Sequence, residues 1–179
     1  IAYELVDGEP LAAVVERGAI EPARMLAIAA GIVEGLRCLH RERIVHRDLK
    51  PENVLVARDG RARLIDLGIA RDLAVRSHHT RTGVVLGTPE YMSPELIDLA
   101  PLTPAADVYA FGAVLFAMLE GRSPFAGRPL VELLQAHLEE RPALVIRGSP
   151  MEAGLRRLAL ACLAKRPADA HDAARIAGE

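Results

Sequence analysis

A chain of 179 residues, 51% hydrophobic and 26% charged, is long enough for one domain with a real core and is composed like an ordinary globular protein. Its net charge of −2 argues against a binder of nucleic acid or of acidic membranes. The two cysteines, Cys38 and Cys162, lack metal-ligand spacing and fall in separate expected helices, which suits free thiols in a reducing cytosol and not a disulfide framework.

The chain opens at Ile1 and not at a methionine, and no signal peptide is visible, which suggests a fragment. The first strong periodicity runs over 22 to 41, where Met25, Ile28, Ile32, Leu36 and Leu39 recur at helical spacing and Pro22 suits a first turn. Two short apolar runs follow, 54–57 and 62–65, on either side of an Asp59-Gly60 turn signal, and they predict a β-hairpin. Asn53 lies six residues before Asp59 and Asp66 lies six after Gly60, so a two-residue turn sets these side chains opposite each other at the open end. Residues 66 to 95 show little periodicity, and a long loop inside a compact domain is usually functional or disordered. A second helix is announced by Thr103 as cap, Pro104 in its first turn and Gly121 beyond its end. Its apolar stretch, Val108 to Leu119, is too short to span a bilayer and reads as a core helix. Leu130, Leu133, Leu134 and Leu138 mark a third helix, and Leu155, Leu158 and Cys162 a fourth. No other strand, internal repeat or interdomain linker is expected.

The run His46-Arg47-Asp48-Leu49-Lys50-Pro51-Glu52-Asn53 places a potential base, a cation and a metal ligand in one short loop. Thirteen residues beyond Asn53 stands Asp66-Leu67-Gly68. An amide oxygen from Asn53 and a carboxylate from Asp66 suit Mg²⁺, which takes a few protein oxygens together with phosphate oxygens, and Asp48 is left to act as a base. An Asp-Gly turn alone is more often a solvated surface hairpin. The complete octet together with Asp66 favours chemistry.

These motifs resemble the catalytic core of the eukaryotic-type serine/threonine protein kinases, in their bacterial form. The octet matches that family's catalytic loop at every position, and Asp-Leu-Gly differs from its Asp-Phe-Gly by one apolar swap. Gly87-Thr88-Pro89-Glu90-Tyr91-Met92-Ser93-Pro94-Glu95 resembles the end of an activation segment, with Ser-Pro-Glu in place of Ala-Pro-Glu. Lys50 and Thr88 are similar to the serine/threonine branch and unlike the tyrosine branch. The resemblance implies an α+β fold, mostly α: a protein-kinase-like large lobe over 1–179 with a small catalytic β-hairpin. Its hinge would be 1–8, its catalytic loop 46–53 and its activation segment 66–95.

The resemblance also implies roles. Asp48 would be the base for transfer of the ATP γ-phosphoryl group to protein Ser or Thr, Lys50 would contact that group, and Thr88 would position the base. Asn53 and Asp66 would hold Mg²⁺. Tyr3-Glu4-Leu5-Val6-Asp7-Gly8 resembles the hinge, where backbone groups of Glu4 and Val6 would bond adenine while Leu55 packs under the purine. Asp107 would hold the backbone of the catalytic loop, with His46 and Glu95 as further structural support. Thr80 and Thr82, flanking Arg81, resemble the autophosphorylation site of bacterial relatives, and Arg47 would pair with a phosphate there. Ser77, His78 and His79 read as solvated loop residues.

The pattern departs from the family in two places. No glycine-rich loop, strand lysine or helix glutamate precedes the hinge, so the small N-terminal lobe is expected to be absent, and activity of these residues alone is not implied. Ala170 stands where the family usually has the arginine that pairs with Glu95, which leaves Arg166 or Arg175 to substitute. The expected partners are ATP, Mg²⁺ and protein substrates bearing Ser or Thr, with self-association for autophosphorylation. No nucleic acid or membrane contact by this segment is expected. The expected location is the cytoplasm, alone or as the cytoplasmic part of a membrane-anchored protein. A non-catalytic interaction or regulatory module derived from such a kinase is the competing reading. Intact Asp48, Lys50, Asn53 and Asp66 weigh against it.

Overall fold

The computed structural model describes residues 7–66 and 88–165. Glu4, Val6, Thr80, Thr82, Arg166 and Arg175 therefore lie outside the described residues. Helices dominate those described, and three short strands form one antiparallel sheet in the order β1 (Gly8–Pro10), β2 (Val54–Ala57), β3 (Ala62–Leu64). The α+β, mostly α, expectation holds.

β1 and the helix it runs into, α1 (Leu11–Glu16), were not foreseen, because three and six residues are too short to show a period. They are ordered by burial: Leu11, Val14 and Val15 enter the main core. α2 (Pro22–Arg41) begins with Pro22 in its first turn and a Glu21 cap whose carboxylate accepts from the Arg24 N–H at 3.0 Å. It buries Met25, Ile28, Ala29, Ile32 and Leu36, the stripe its spacing predicted, against β3 and the later helices.

The hairpin forms where expected but in a different register. Its loop has three residues, Arg58-Asp59-Gly60: the Gly60 N–H donates to the Ala57 carbonyl and the Ala57 N–H to the Arg61 carbonyl, both at 2.9 Å. Gly60 takes φ +82, a left-handed conformation that costs glycine little, and the Asp59 carboxylate accepts from the Arg61 N–H at 2.9 Å. Val54 therefore faces Leu64, and the Ile65 N–H donates to the Asn53 carbonyl at 2.9 Å. Asn53 is opposite Ile65 and not Asp66. The expected facing pair is wrong by one residue, because the extra loop residue shifts the register.

Past the second described segment's start, a short helix α3 (Pro94–Ile97) is capped by Ser93. The long helix α4 (Pro104–Glu120) has the expected Thr103 cap, Pro104 start and Gly121 end, and is buried on nearly every side. α5 (Leu130–Glu139) and α6 (Pro150–Cys162) complete the described helices. α4 and α6 meet closely at Gly112, where a Cβ would lie 2.7 Å from that of Cys162. Cys162 is a free, buried thiol whose pKa burial pushes up to about 12, and Cys38 is free and exposed. A buried Arg156 ties the end of α4 to α6 through Glu120 at 2.6 Å and Glu152 at 2.9 Å, so the charge is compensated on both sides. Among the described residues no helix is long and apolar enough to cross a membrane.

Candidate active site

The site is built on the turn that leaves α2. The Ile44 N–H returns to the Leu39 carbonyl at 2.9 Å, and the chain then passes beneath the start of α4. There Asp107, only 1% exposed, lies in the first turn, where the helix dipole favours a carboxylate. Oδ2 accepts from the His46 N–H at 2.8 Å and from His40 Nε2 at 2.7 Å, and Oδ1 accepts from the Arg47 N–H at 3.0 Å. Three donors compensate the burial of one carboxylate, and they fix two consecutive peptide units of the loop. Arg47 takes φ +68, unusual for a side-chain-bearing residue, and its anchored N–H helps hold it there. The His46 ring is fully buried beside the Ile65 carbonyl, and burial lowers its pKa below the ordinary value, so the ring is neutral.

Asp48 meets two of the residues expected beside it directly, Asn53 and Lys50, and is joined to Thr88 through Lys50. A one-turn 3₁₀ segment, Pro51–Asn53, closes with the Asn53 N–H on the Lys50 carbonyl at 3.0 Å and swings Asn53 back under the loop. Its Nδ2 donates to the Asp48 carbonyl at 2.7 Å and to Asp48 Oδ2 at 3.1 Å. With both amide hydrogens directed at Asp48, the amide oxygen is left as an acceptor. Lys50 Nζ lies 3.6 Å from Asp48 Oδ2 and donates to Thr88 Oγ1 at 3.0 Å. Thr88 arrives from 38 residues downstream in the sequence, so this contact joins the catalytic-type loop to the end of the 66–95 segment. A hollow beside the cluster is lined by Asp48, Leu49, Thr88, Tyr91 and Met92 among others.

Asp66 stands one residue past the Asn53–Ile65 pair, exposed and with φ +55. Among the described residues no three acidic, histidine or cysteine side chains converge as a metal cage. The Asn53 amide oxygen and the Asp66 carboxylate are hard oxygen donors too few for a cage, which fits Mg²⁺ completing its shell with phosphate oxygens and water. Leu55, on β2, is half-buried. Glu95 has a buried Oε2 with no hydrogen-bond partner among the described residues.

His40 escaped the sequence reading. Its position in the last turn of α2 was readable, but its partner Asp107 is 67 residues away, and nothing local announces that pairing.

Residues 1–170 match the family model described as the protein kinase domain. Over 186 aligned residues the chain is 39% identical to the serine/threonine-protein kinase pkn2 of Myxococcus xanthus, covering 97% of this chain and 22% of that protein. It is 36% identical to the serine/threonine-protein kinase PknL of Mycobacterium tuberculosis, over 94% of this chain and 43% of that protein. It is 37% identical to the serine/threonine-protein kinase PkaA of Streptomyces coelicolor, over 99% of this chain and 33% of that protein. The chain thus spans less than half the length of these relatives, and by the match over nearly all its residues it belongs to the protein kinase domain family.

Proposed function

We propose that this chain carries the phosphoryl-transfer site of a serine/threonine protein kinase. The observation that supports it most is the convergence of Asp48, Lys50, Asn53 and Thr88 on one point through contacts of 2.7 to 3.6 Å. Asp48 receives the proton of a substrate Ser or Thr hydroxyl as that oxygen bonds to the ATP γ-phosphorus and the bond to ADP breaks. Asn53 holds the Asp48 carboxylate in place by its amide hydrogens. Lys50, shared between Asp48 and Thr88, offers its charge to the transferring group. Bound Mg²⁺, held by Asn53 and Asp66, would neutralise charge on the nucleotide phosphates. Backbone groups of Glu4 and Val6 and the side chain of Leu55 take the adenine. The setting is cytoplasmic, and the partners are ATP, protein substrates and other copies of the protein.

The test is a magnesium titration of nucleotide binding with the full-length protein. Asp66→Asn is expected to weaken Mg²⁺-dependent ATP affinity by on the order of tenfold or more, because a neutral amide replaces one anionic metal ligand. The exposed position predicts an unchanged fold by circular dichroism. Identical affinities across the titration would place the metal elsewhere and defeat this reading.

Regulation is proposed at the same loop. Phosphate on Thr80 or Thr82 pairs with the Arg47 guanidinium by charge-assisted hydrogen bonds and thereby fixes the geometry of Asp48, the next residue. In the full-length protein, replacing both threonines by alanine lowers activity, and Arg47→Ala lowers it with no further loss in the triple variant. Additive losses in that cycle would detach Arg47 from the phosphate.

A further inference from the structure

Lys165, just past the end of α6, is a cation in an apolar corner. Its Nζ lies 5.2 Å from the centre of the Phe125 ring and 5.1 Å from that of Tyr109. It donates to the Tyr109 phenol oxygen at 3.0 Å, to the His137 carbonyl at 2.8 Å and to the Ala136 carbonyl at 3.4 Å. The two carbonyls belong to the last turns of α5, where a cation is favoured by the helix dipole. Tyr109 lies on α4, so one ammonium joins the end of α6 to both other helices.

The ammonium also gives this network a direction. An ammonium only donates, so the phenol oxygen accepts from Lys165, and its own proton goes to the nearer of two acceptors, His137 Nδ1 at 2.9 Å over the His137 carbonyl at 3.4 Å. His137 is fully buried and neutral, with its pKa pushed down to about 4 by burial and by the Lys165 charge. With Nδ1 accepting, the ring proton sits on Nε2. That atom is buried with no hydrogen bond among the described residues, and the Glu90 backbone carbonyl is a polar neighbour of the ring. Glu90 is in the one-turn segment Pro89–Tyr91, which packs on both α4 and α5 and directly follows Thr88. Thr88 in turn accepts from Lys50.

We infer that Lys165 is a positioning residue: through Tyr109 and His137 it fixes the Pro89–Tyr91 turn, and so sets Thr88 for Lys50 and Asp48. In this chain it supplies a cross-tie from the end of the helical domain to the end of the 66–95 segment, close to Glu95, whose charge is felt at the Tyr109 phenol. The consequence for catalysis rests on the kinase reading, whereas the tie to the turn does not.

The experiment is therefore read first without activity, by amide hydrogen exchange on the full-length protein. The reporters are the Tyr91 and Met92 N–H groups, which donate to the Thr88 and Pro89 carbonyls at 3.3 Å. Lys165→Met, which keeps the length and loses the donors, is expected to speed their exchange by about tenfold, as loss of roughly one net hydrogen bond would, while Lys165→Arg exchanges as wild type. If Lys165→Met fails to unfold cooperatively, Tyr109→Phe takes its place, since it removes only the hydroxyl relay and must speed the same two amides. Unchanged exchange in the folded variant, or equal acceleration in Lys165→Met and Lys165→Arg, overturns the inference.

Kinetics give the second readout. Lys165→Met lowers kcat/KM for a peptide substrate while KM for ATP stays within twofold, and Lys165→Arg restores it. Burial lowers the Lys165 pKa to about 8, with Glu140, itself paired with Arg128, opposing that shift and Tyr109 and His137 facing the ammonium as neutral groups. The wild-type rate then falls as pH rises through about 8, and that limb is lost in Lys165→Arg. A merely structural lysine predicts the opposite trend in stability. Its folded pKa is below the unfolded value near 10.4, so the unfolded state binds more protons between the two, and stability gains with pH across that window. An alkaline limb shared by both proteins overturns the positioning role. Asp48→Asn run in parallel separates the two claims: its full activity would defeat the kinase reading, while an inactive Asp48→Asn beside a normal Lys165→Met defeats only this one.

Discussion

Asp48→Asn in the full-length protein is expected to lower kcat by on the order of 10²–10⁴-fold, the usual worth of a positioned general base, with KM for ATP little changed. The substitution is nearly isosteric. The Asn53 Nδ2 can still donate to an amide oxygen at position 48, and the backbone of the loop stays fixed by Asp107. What is lost is the carboxylate able to take a hydroxyl proton, together with the charge that draws Lys50 to 3.6 Å. Lys50 keeps its hydrogen bond to Thr88 and Asn53 keeps an acceptor at position 48, so thermal unfolding should move little. A steady-state phosphotransfer assay beside a melting curve checks both halves. Wild-type turnover in Asp48→Asn would mean that proton removal happens elsewhere and would end the proposed assignment.

Several elements were legible because their causes are local. The α2 stripe, the Thr103 cap with Pro104 and the Gly121 stop are properties of a few neighbouring residues, and the helices stand where those residues put them. The hairpin was legible as an element and not in its register. Asp59-Gly60 signals a turn whether the loop holds two residues or three, and the choice is made by Gly60 closing the loop at φ +82 with Arg58 included. One residue of register was enough to remove Asp66 from the position opposite Asn53. β1 and α1 were illegible for a different reason, since their order comes from burying Leu11, Val14 and Val15 under a core formed by distant segments.

The candidate site divides along the same line. Asp48, Lys50 and Asn53 lie within six residues, and their meeting follows from one tight turn. Thr88, His40 and Lys165 depend on contacts across 38, 67 and 56 residues, which no spacing rule reports. For Thr88 the resemblance to a known family supplied the long-range information. For His40 and Lys165 only the fold did.

Asp107→Ala is expected to destabilise the fold by about 3 kcal/mol and to depress kcat together with it. The carboxylate is almost wholly buried and serves three donors, so its removal strands two backbone N–H groups and leaves the part-exposed His40 ring without its partner. The loss is smaller than the sum of three charge-assisted hydrogen bonds, because the variant is also relieved of the cost of burying an anion. The kinetic effect has a separate origin. Arg47 at φ +68 is a conformation that local sterics oppose by about 1–3 kcal/mol, and without its anchored N–H the loop relaxes and carries Asp48 away from Asn53 and Lys50. Asp107→Asn tells the two effects apart, since its single amide oxygen can keep one of the backbone donors and so should recover part of the stability while leaving the turn loosened. Chemical denaturation with kcat measured on each variant gives the comparison. A stability change below about 0.5 kcal/mol in Asp107→Ala would show that the loop is held by something other than this carboxylate.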